Sequence, residues 1–167
     1  MRSSTAWTTH SGCSAEMDDL EDLYREIILD HYRSPRNRGE LASPPAHRTE
    51  GFNPLCGDEI VLTVDVGDGV IHDLKIDGHG CSISQSSASL MSGAVKGKSL
   101  ADAKGVMRTF KRMMTVADDD SGEDEPLDVR SMGELAALQG VVKFPVRIKC
   151  ATLAWNTLAQ ALGELGV

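Results

Sequence analysis

Long apolar runs are absent from this sequence, and basic residues are in the minority. No apolar stretch approaches the roughly 20 residues that a helix needs to cross a bilayer. The first residues, MRSSTAWTTHSGCSAEM, also lack the apolar segment of a secretory signal. Asp and Glu outnumber Lys and Arg by 25 to 17, which disfavours a phosphate-tracking surface for nucleic acid. We therefore expect a cytoplasmic protein without a membrane segment, whose partners are proteins or small ions.

The sequence has only four cysteines, and they cannot be assumed to form disulfides. A chain of 167 residues can bury a core without covalent cross-links, and cytoplasmic thiols stay reduced. Cysteines in such a chain more often serve metal binding or catalysis. Cys13 lies in a polar, aperiodic stretch and is interpreted as an incidental exposed thiol. The functional hypothesis therefore concerns Cys56, Cys81 and Cys150.

The first half of the chain predicts a helix followed by an antiparallel sheet. We expect a disordered tail over 1–17 and a single domain over 18–167. A helix begins at the pair Asp18-x-x-Glu21, which is typical of a capping box, and it stops before Pro35. Alternating apolar residues on both sides of Gly67-Asp68-Gly69 predict a β-hairpin. An extended segment near residues 47–51 supplies a third strand.

The second half predicts helices. One follows Cys81, a second follows Ser99, and a last one begins at Pro145, a favourable first-turn residue. A short helix is predicted from Ser131 to about Gly140. The acidic tract ADDDSGEDEPLD before it is too charged to be buried and indicates an exposed connector.

The segment Cys56-Gly57-Asp58 places a thiolate and a carboxylate two residues apart at the entry to a strand. An extended backbone there would direct both side chains to the same side. The glycine lets the chain pass close to whatever they bind. Taken alone the pair is a weak indication, because Cys is often a small buried apolar residue and Asp a turn residue.

Two further cysteines occupy positions that favour a thiolate. Cys81 follows Gly78-His79-Gly80 at a strand-to-helix junction, where the helix dipole and free N–H groups lower a thiol pKa. Cys150 lies in the first turns of the last helix, with Arg147 three residues earlier on the same face. A capping cysteine and a packing cysteine are the ordinary alternatives for these two positions.

Together, Cys56, Asp58, Cys81 and Cys150 form a four-donor set that suits tetrahedral zinc or an iron–sulfur cluster. Three thiolates and one carboxylate around a divalent ion leave a net charge of −2, so a cation such as Arg147 or Lys149 would be needed nearby. Asp58 is the harder and more exchangeable ligand. It therefore indicates a site that opens.

Four blocks in this order give the chain a family resemblance: LYREIILDHYRSPRNRGEL, NPLCGDEI, DGHGCSISQSSASLM and FPVRIKCATLAWNTL. It resembles the SufU-type members of the IscU/NifU-N-like iron–sulfur cluster assembly family from about Leu23 to Leu162. The resemblance implies an α+β fold with an N-terminal helix, a three-stranded antiparallel sheet and helices packed on one face. Lys149 in place of the IscU histidine, and an added segment over 115–140, favour the SufU type. A Leu-Pro-Pro-rich chaperone-binding tract is missing before Cys150.

The resemblance also implies a function and a set of site residues. The implied metal ligands are Cys56, Asp58, Cys81 and Cys150, with Zn²⁺ the usual metal in this branch. A SufS-type cysteine desulfurase is the implied partner, with downstream Suf assembly proteins after it. Cys56 matches the sulfur acceptor, and Arg147 matches a position linked to the encounter with the desulfurase.

The leading hypothesis is zinc-dependent sulfur transfer, in which Cys56 takes persulfide sulfur from the desulfurase as a sulfurtransferase and partner of that enzyme. The alternative is a scaffold on which a [2Fe–2S] cluster is assembled on the same four residues and then passed on. A third interpretation is a zinc that only stabilises a protein-interaction domain.

Overall fold

The protein combines one small sheet with helices placed before and after it in the chain. The computed structural model describes residues 12–114 and 129–167, without the side chains of 12–19 and 129. The elements follow the order α1 (Gly12–Arg33), β1 (His47–Asn53), β2 (Asp58–Gly67), β3 (Val70–His79), α2 (Ser82–Val95), α3 (Leu100–Met113), a 3₁₀ segment (Val129–Lys143) and α4 (Pro145–Glu164). This arrangement confirms the predicted α+β class. Within these ranges, no helix combines the length and apolarity that a membrane span requires.

The sheet is antiparallel with the strand order β1-β2-β3. The β2–β3 connection places Asp68 at φ 54° and Gly69 at φ 73°. Two successive left-handed residues are the geometry of a type I′ turn, which matches the twist of a hairpin. The turn predicted from Gly67-Asp68-Gly69 is therefore confirmed.

Helices α2 and α4 pack against the sheet, α2 on β2 and β3 and α4 on β1 and β2. The largest side chains that this packing buries come from the strands, α2, α3 and its C-terminal end, the 3₁₀ segment and α4: Ile60, Leu62, Val64, Ile71, Leu74, Met91, Val95, Phe110, Met114, Leu138, Trp155 and Leu158. The connection between α1 and β1 also contacts the sheet, because the Leu41 N–H donates to Thr63 Oγ1 at 2.9 Å.

A polar link inside this core fixes α4 against α2. Ser87 Oγ donates to the carbonyl oxygen of Ala151 at 2.5 Å and accepts from Trp155 Nε1–H at 3.0 Å. The Trp155 ring stacks on Phe110 with a centroid distance of 4.1 Å. Buried polar groups are costly unless they are paired, so these hydrogen bonds favour one alignment of the two helices. That alignment matters because α2 follows Cys81 and α4 carries Cys150.

Two predicted boundaries differ from the structure. Helix α1 begins at Gly12 and not at the Asp18-x-x-Glu21 pair, so residues 12–17 are helical where a tail was predicted. Extending an existing helix costs little, and Ala, Glu and Met in this stretch are good helix formers. The segment predicted as a short helix from Ser131 lies within a 3₁₀ segment that is interrupted at Gly133, where φ is 58°. Residues 1–11 and the acidic tract lie outside the described residues.

The end of α4 is held to β1 by one carboxylate. Glu164 accepts hydrogen bonds from Gln160 at 2.9 Å and Thr49 at 2.8 Å, and His47 Nε2 lies 2.5 Å from it. Hydrogen bonds from Gln160, His47 and Thr49 lower the pKa of the Glu164 carboxyl from 4.5 to about 2. The ionised form of Glu164 is therefore favoured by folding.

This shift predicts a pH dependence of stability. Because the pKa of Glu164 is lower in the folded chain, the unfolded chain binds more protons between about pH 4.5 and 2, and stability falls as the pH drops through that window. We expect Glu164→Gln to flatten the dependence of the urea midpoint on pH in this range. Glu26→Gln, an exposed position on α1, is the control. Equal slopes for wild type and Glu164→Gln would contradict the expectation.

Candidate metal centre

The first part of the site is the turn between β1 and β2. It spans residues 54–57, and Cys56 lies in it, outside either strand. The Gly57 N–H donates to the Asn53 carbonyl at 2.9 Å, and Gly57 takes φ 68°. Cys56 and Asp58 therefore come together through a tight turn and not through the extended backbone expected at this position. A left-handed φ at the middle residue explains why a glycine stands there.

Asp58 is the buried centre of the site. Its side chain is fully buried. Oδ1 accepts the backbone N–H of Cys81 at 2.8 Å, and Oδ2 lies 3.8 Å from Cys81 Sγ. Burying a carboxylate is costly unless its charge is compensated. Its described partners are the Cys81 N–H and neighbouring thiols, and a bound cation would compensate its charge.

Cys81 is the N-cap of α2, as the glycine-rich junction predicts. Its backbone is extended, with φ −70° and ψ 165°, and its sulfur accepts the backbone N–H of Ser84 at 3.5 Å. The sulfur therefore faces the N–H groups at the start of the helix, which favour negative charge.

Cys150 is fully buried in the second turn of α4. Its sulfur lies 3.2 Å from Cys56 Sγ and 3.9 Å from Asn53 Nδ2. Burial raises the pKa of the Cys150 thiol, and hydrogen bonds with Cys56 and Asp58 raise it further. All three cysteines of the site are free thiols, since a disulfide would need sulfurs about 2.05 Å apart.

The donor atoms of Cys56, Asp58 and Cys150 all lie within 4.8 Å of one another. Cys81 adjoins this group through Asp58. Two thiolates bound to one zinc ion at about 2.3 Å in a tetrahedral site are separated by about 3.8 Å. The donor spacings are of this order, and sulfur donors with one carboxylate suit zinc or iron. Three of the four predicted residues, Cys56, Asp58 and Cys150, are therefore spaced for a metal ion, whereas the Cys81 sulfur lies outside this group and contacts Asp58.

Arg147 supplies positive charge at the rim of the site. Its side chain is exposed. Coulombic attraction to Cys81 and a hydrogen bond with Cys81 raise the pKa of its guanidinium, and attraction to Cys150 and Cys56 adds to this. The sequence paired Arg147 with Cys150 by helical spacing, whereas its strongest partner in the structure is Cys81. Lys149, the other predicted cation, is exposed on α4.

Asn53 belongs to the site although its sequence context indicates only a turn before Pro54. Its side chain is 7% exposed, and its amide nitrogen faces the sulfur of Cys150. An asparagine beside Cys56 could have been considered a hydrogen-bond donor. The sulfur that receives its hydrogen bond lies 97 residues further along the chain, so only the fold identifies that sulfur.

Known proteins that are similar to this chain belong to the family that its sequence resembles. The NifU-like N terminal domain family matches residues 23–151. The chain is 42% identical over 146 residues to the zinc-dependent sulfurtransferase SufU of Bacillus subtilis (strain 168), covering 87% of this chain and 93% of that protein. It is 39% identical to the iron–sulfur cluster assembly scaffold protein IscU of Streptococcus pyogenes serotype M1, covering 87% and 86%.

Solved structures agree with these matches. The crystal structure of FiSufU from the thermophile Fervidobacterium islandicum AW-1 superimposes with a TM-score of 0.71 at 32% identity, covering 82% of this chain and 94% of that one. A NifU-like protein from Brucella abortus shares the fold at 20% identity, with a TM-score of 0.70 over 88% of this chain and 96% of that one. The chain therefore belongs to the NifU-like N-terminal domain family of iron–sulfur cluster assembly proteins, as a SufU-type member.

Proposed function

We propose that this protein acts in iron–sulfur cluster biogenesis as a zinc-dependent sulfur acceptor, which takes persulfide sulfur from a SufS-type cysteine desulfurase on Cys56. The observation that carries the proposal is the contrast between two neighbouring thiols. Cys56 is partly exposed on a turn, and Cys150 is fully buried 3.2 Å away. A sulfur acceptor must reach a cysteine on another protein, and Cys56 meets that requirement. Cys81 is also partly exposed, but its sulfur contacts Asp58 and accepts the Ser84 N–H at the start of α2.

In this proposal the metal ligands are Cys56, Asp58, Cys81 and Cys150. Zinc, when bound, keeps thiol ligands deprotonated, and a thiolate is the form that attacks a persulfide. The mutual spacing of three of the four donors and the contact of Cys81 with Asp58 support this assignment. Arg147 partly offsets the negative charge of the donor set from the Cys81 side.

The proposed transfer is a thiol exchange that balances without an oxidant. The Cys56 thiolate attacks the outer sulfur of the desulfurase persulfide, and the sulfur–sulfur bond in the desulfurase breaks. The desulfurase cysteine leaves as a thiolate, and the transferred sulfur remains on Cys56 as a new persulfide. A terminal persulfide on this protein then serves the downstream Suf assembly proteins.

Replacing the acceptor tests the proposal directly. We expect Cys56→Ser to lower transfer of radiolabelled sulfur from a SufS-type desulfurase to background, because a hydroxyl is a far weaker nucleophile than a thiolate. Cys13→Ser, which removes the thiol interpreted as incidental, is the matched control and should accept sulfur normally. Labelling of Cys56→Ser at the wild-type level would refute sulfur acceptance at this residue.

The identity of the metal separates the proposal from the scaffold alternative, which the similarity to IscU keeps in view. We expect elemental analysis of the purified protein to give about one zinc per chain. Anaerobic incubation with iron and sulfide should then leave no stable visible chromophore. A stable chromophore with about two irons per chain would instead support assembly of a [2Fe–2S] cluster on these residues.

Adding one methyl group at Gly80 tests whether Asp58 is a metal ligand. Gly80 has φ 157°, and a Cβ at this position would collide with Asp58 Oδ1 and come within 2.7 Å of Ser84 Oγ. Displacing a ligand or its orienting contact typically weakens metal binding by about 10–100-fold, so we expect Gly80→Ala to lose zinc affinity by that factor in competition with a chelator.

Gly93→Ala is the matched control for this substitution. Gly93 lies in α2, and a Cβ there meets no atom within 4 Å. Far-UV circular dichroism should show that both variants are folded. If Gly80→Ala binds zinc as tightly as Gly93→Ala, Asp58 is not a ligand that the metal depends on.

A further inference from the structure

The three sulfurs of the metal centre differ in the N–H groups that face them. Cys81 Sγ accepts the backbone N–H of Ser84 at 3.5 Å, and Cys150 Sγ accepts from Asn53 Nδ2 at 3.9 Å. Among residues 12–114 and 129–167, the hydrogen bond directed at Cys56 Sγ comes from the Cys150 thiol. Cys81 and Cys150 therefore each face an N–H donor, whereas in these ranges Cys56 faces a thiol.

The amide of Asn53 is oriented by the turn that it begins. Asn53 Oδ1 accepts the backbone N–H of Leu55 at 3.2 Å. Only the oxygen end of an amide can accept this hydrogen bond, so the nitrogen end must face Cys150. Because the side chain is 7% exposed, water competes little for this donor.

Asn53 therefore acts on two cysteines at once. Its backbone carbonyl accepts the Gly57 N–H at 2.9 Å, and this hydrogen bond closes the turn that presents Cys56. Its side chain donates to Cys150 on the opposite wall of the site. An N–H donor spreads the charge of a thiolate, which lowers its nucleophilicity and stabilises it as an anion.

We propose that Asn53 is a positioning residue that reserves Cys150 as a permanent metal ligand and leaves Cys56 as the sulfur that reacts. This inference rests on the proposed function, because it explains which of two adjacent thiols accepts sulfur. Burial protects Cys150 from large reagents. The hydrogen bond from Asn53 lowers its reactivity toward small electrophiles that enter the site.

Selective alkylation tests the proposal without a desulfurase. The zinc-loaded full chain is treated with limiting iodoacetamide, and mass spectrometry of the peptides gives the ratio of modified Cys56 to modified Cys150. Asn53→Asp keeps an oxygen for the Leu55 N–H and removes the donor to Cys150. Because the N···S distance of 3.9 Å is long for a hydrogen bond, we expect the ratio to fall by about threefold, less than a short charged hydrogen bond would give.

Two further variants separate the donor from other effects. Asn53→Ser keeps a hydroxyl acceptor for the turn without adding charge, and we expect the same fall in the ratio. Asn156→Asp adds the same charge at an exposed position of α4 and should leave the ratio unchanged.

An unchanged ratio in both Asn53 variants would overturn the proposal, and so would an equal fall in Asn156→Asp. The outcome is independent of sulfur acceptance. If the ratio falls in the Asn53 variants but the wild-type protein takes no sulfur from a desulfurase, the proposed function fails and the role of Asn53 in distinguishing the thiols stands.

Discussion

The hydrogen bond from the Cys81 N–H to the buried carboxylate of Asp58 is the contact on which the site depends. At 2.8 Å it joins the first residue of β2 to the N-cap of α2. It also gives a fully buried anion a fixed partner, without which burial would be very costly. Gly80 has to be small because a side chain there would occupy the space of the Asp58 oxygen. One interaction therefore fixes two of the four donors and the path of the chain between them.

The other half of the site depends on how α4 packs. Helix α4 lies against α2 through Ser87 and Trp155 and against the sheet through β1 and β2. This packing brings Cys150 to the turn that carries Cys56. The metal centre thus joins two pieces of the chain that meet only when the core is formed. Because a bound metal stabilises the folded state, binding and packing should reinforce each other.

The donors are chemically unequal, and the proposed function requires such inequality of a site that would both hold a metal and react. Cys150 is buried, Cys81 lies at a helix N-terminus beside Arg147, and Cys56 is partly exposed on a turn. Equivalent thiolates would favour a closed structural site. Graded exposure and hydrogen bonding instead support the proposal that one ligand reacts while the others would keep the metal in place.

Much of the fold could be predicted because its determinants are local. The Asp68–Gly69 turn, the end of α1 before Pro35, the start of α4 at Pro145 and the position of Cys81 at a helix N-terminus each depend on a few neighbouring residues. The start of α1 was predicted wrongly because a capping pattern can also occur inside a helix. The boundary then depends on the energy of extending the helix by one more turn.

The sequence by itself determined the chemical character of the protein: three cysteines and one aspartate in local settings that favour anionic ligands. Only the tertiary structure decided how they differ. The contact of Asn53 with Cys150, the burial of Cys150 and the proximity of Arg147 to Cys81 arise where α4 meets the sheet and α2. Such contacts join residues far apart in the chain, so they follow from the packing of whole elements and not from residue spacing.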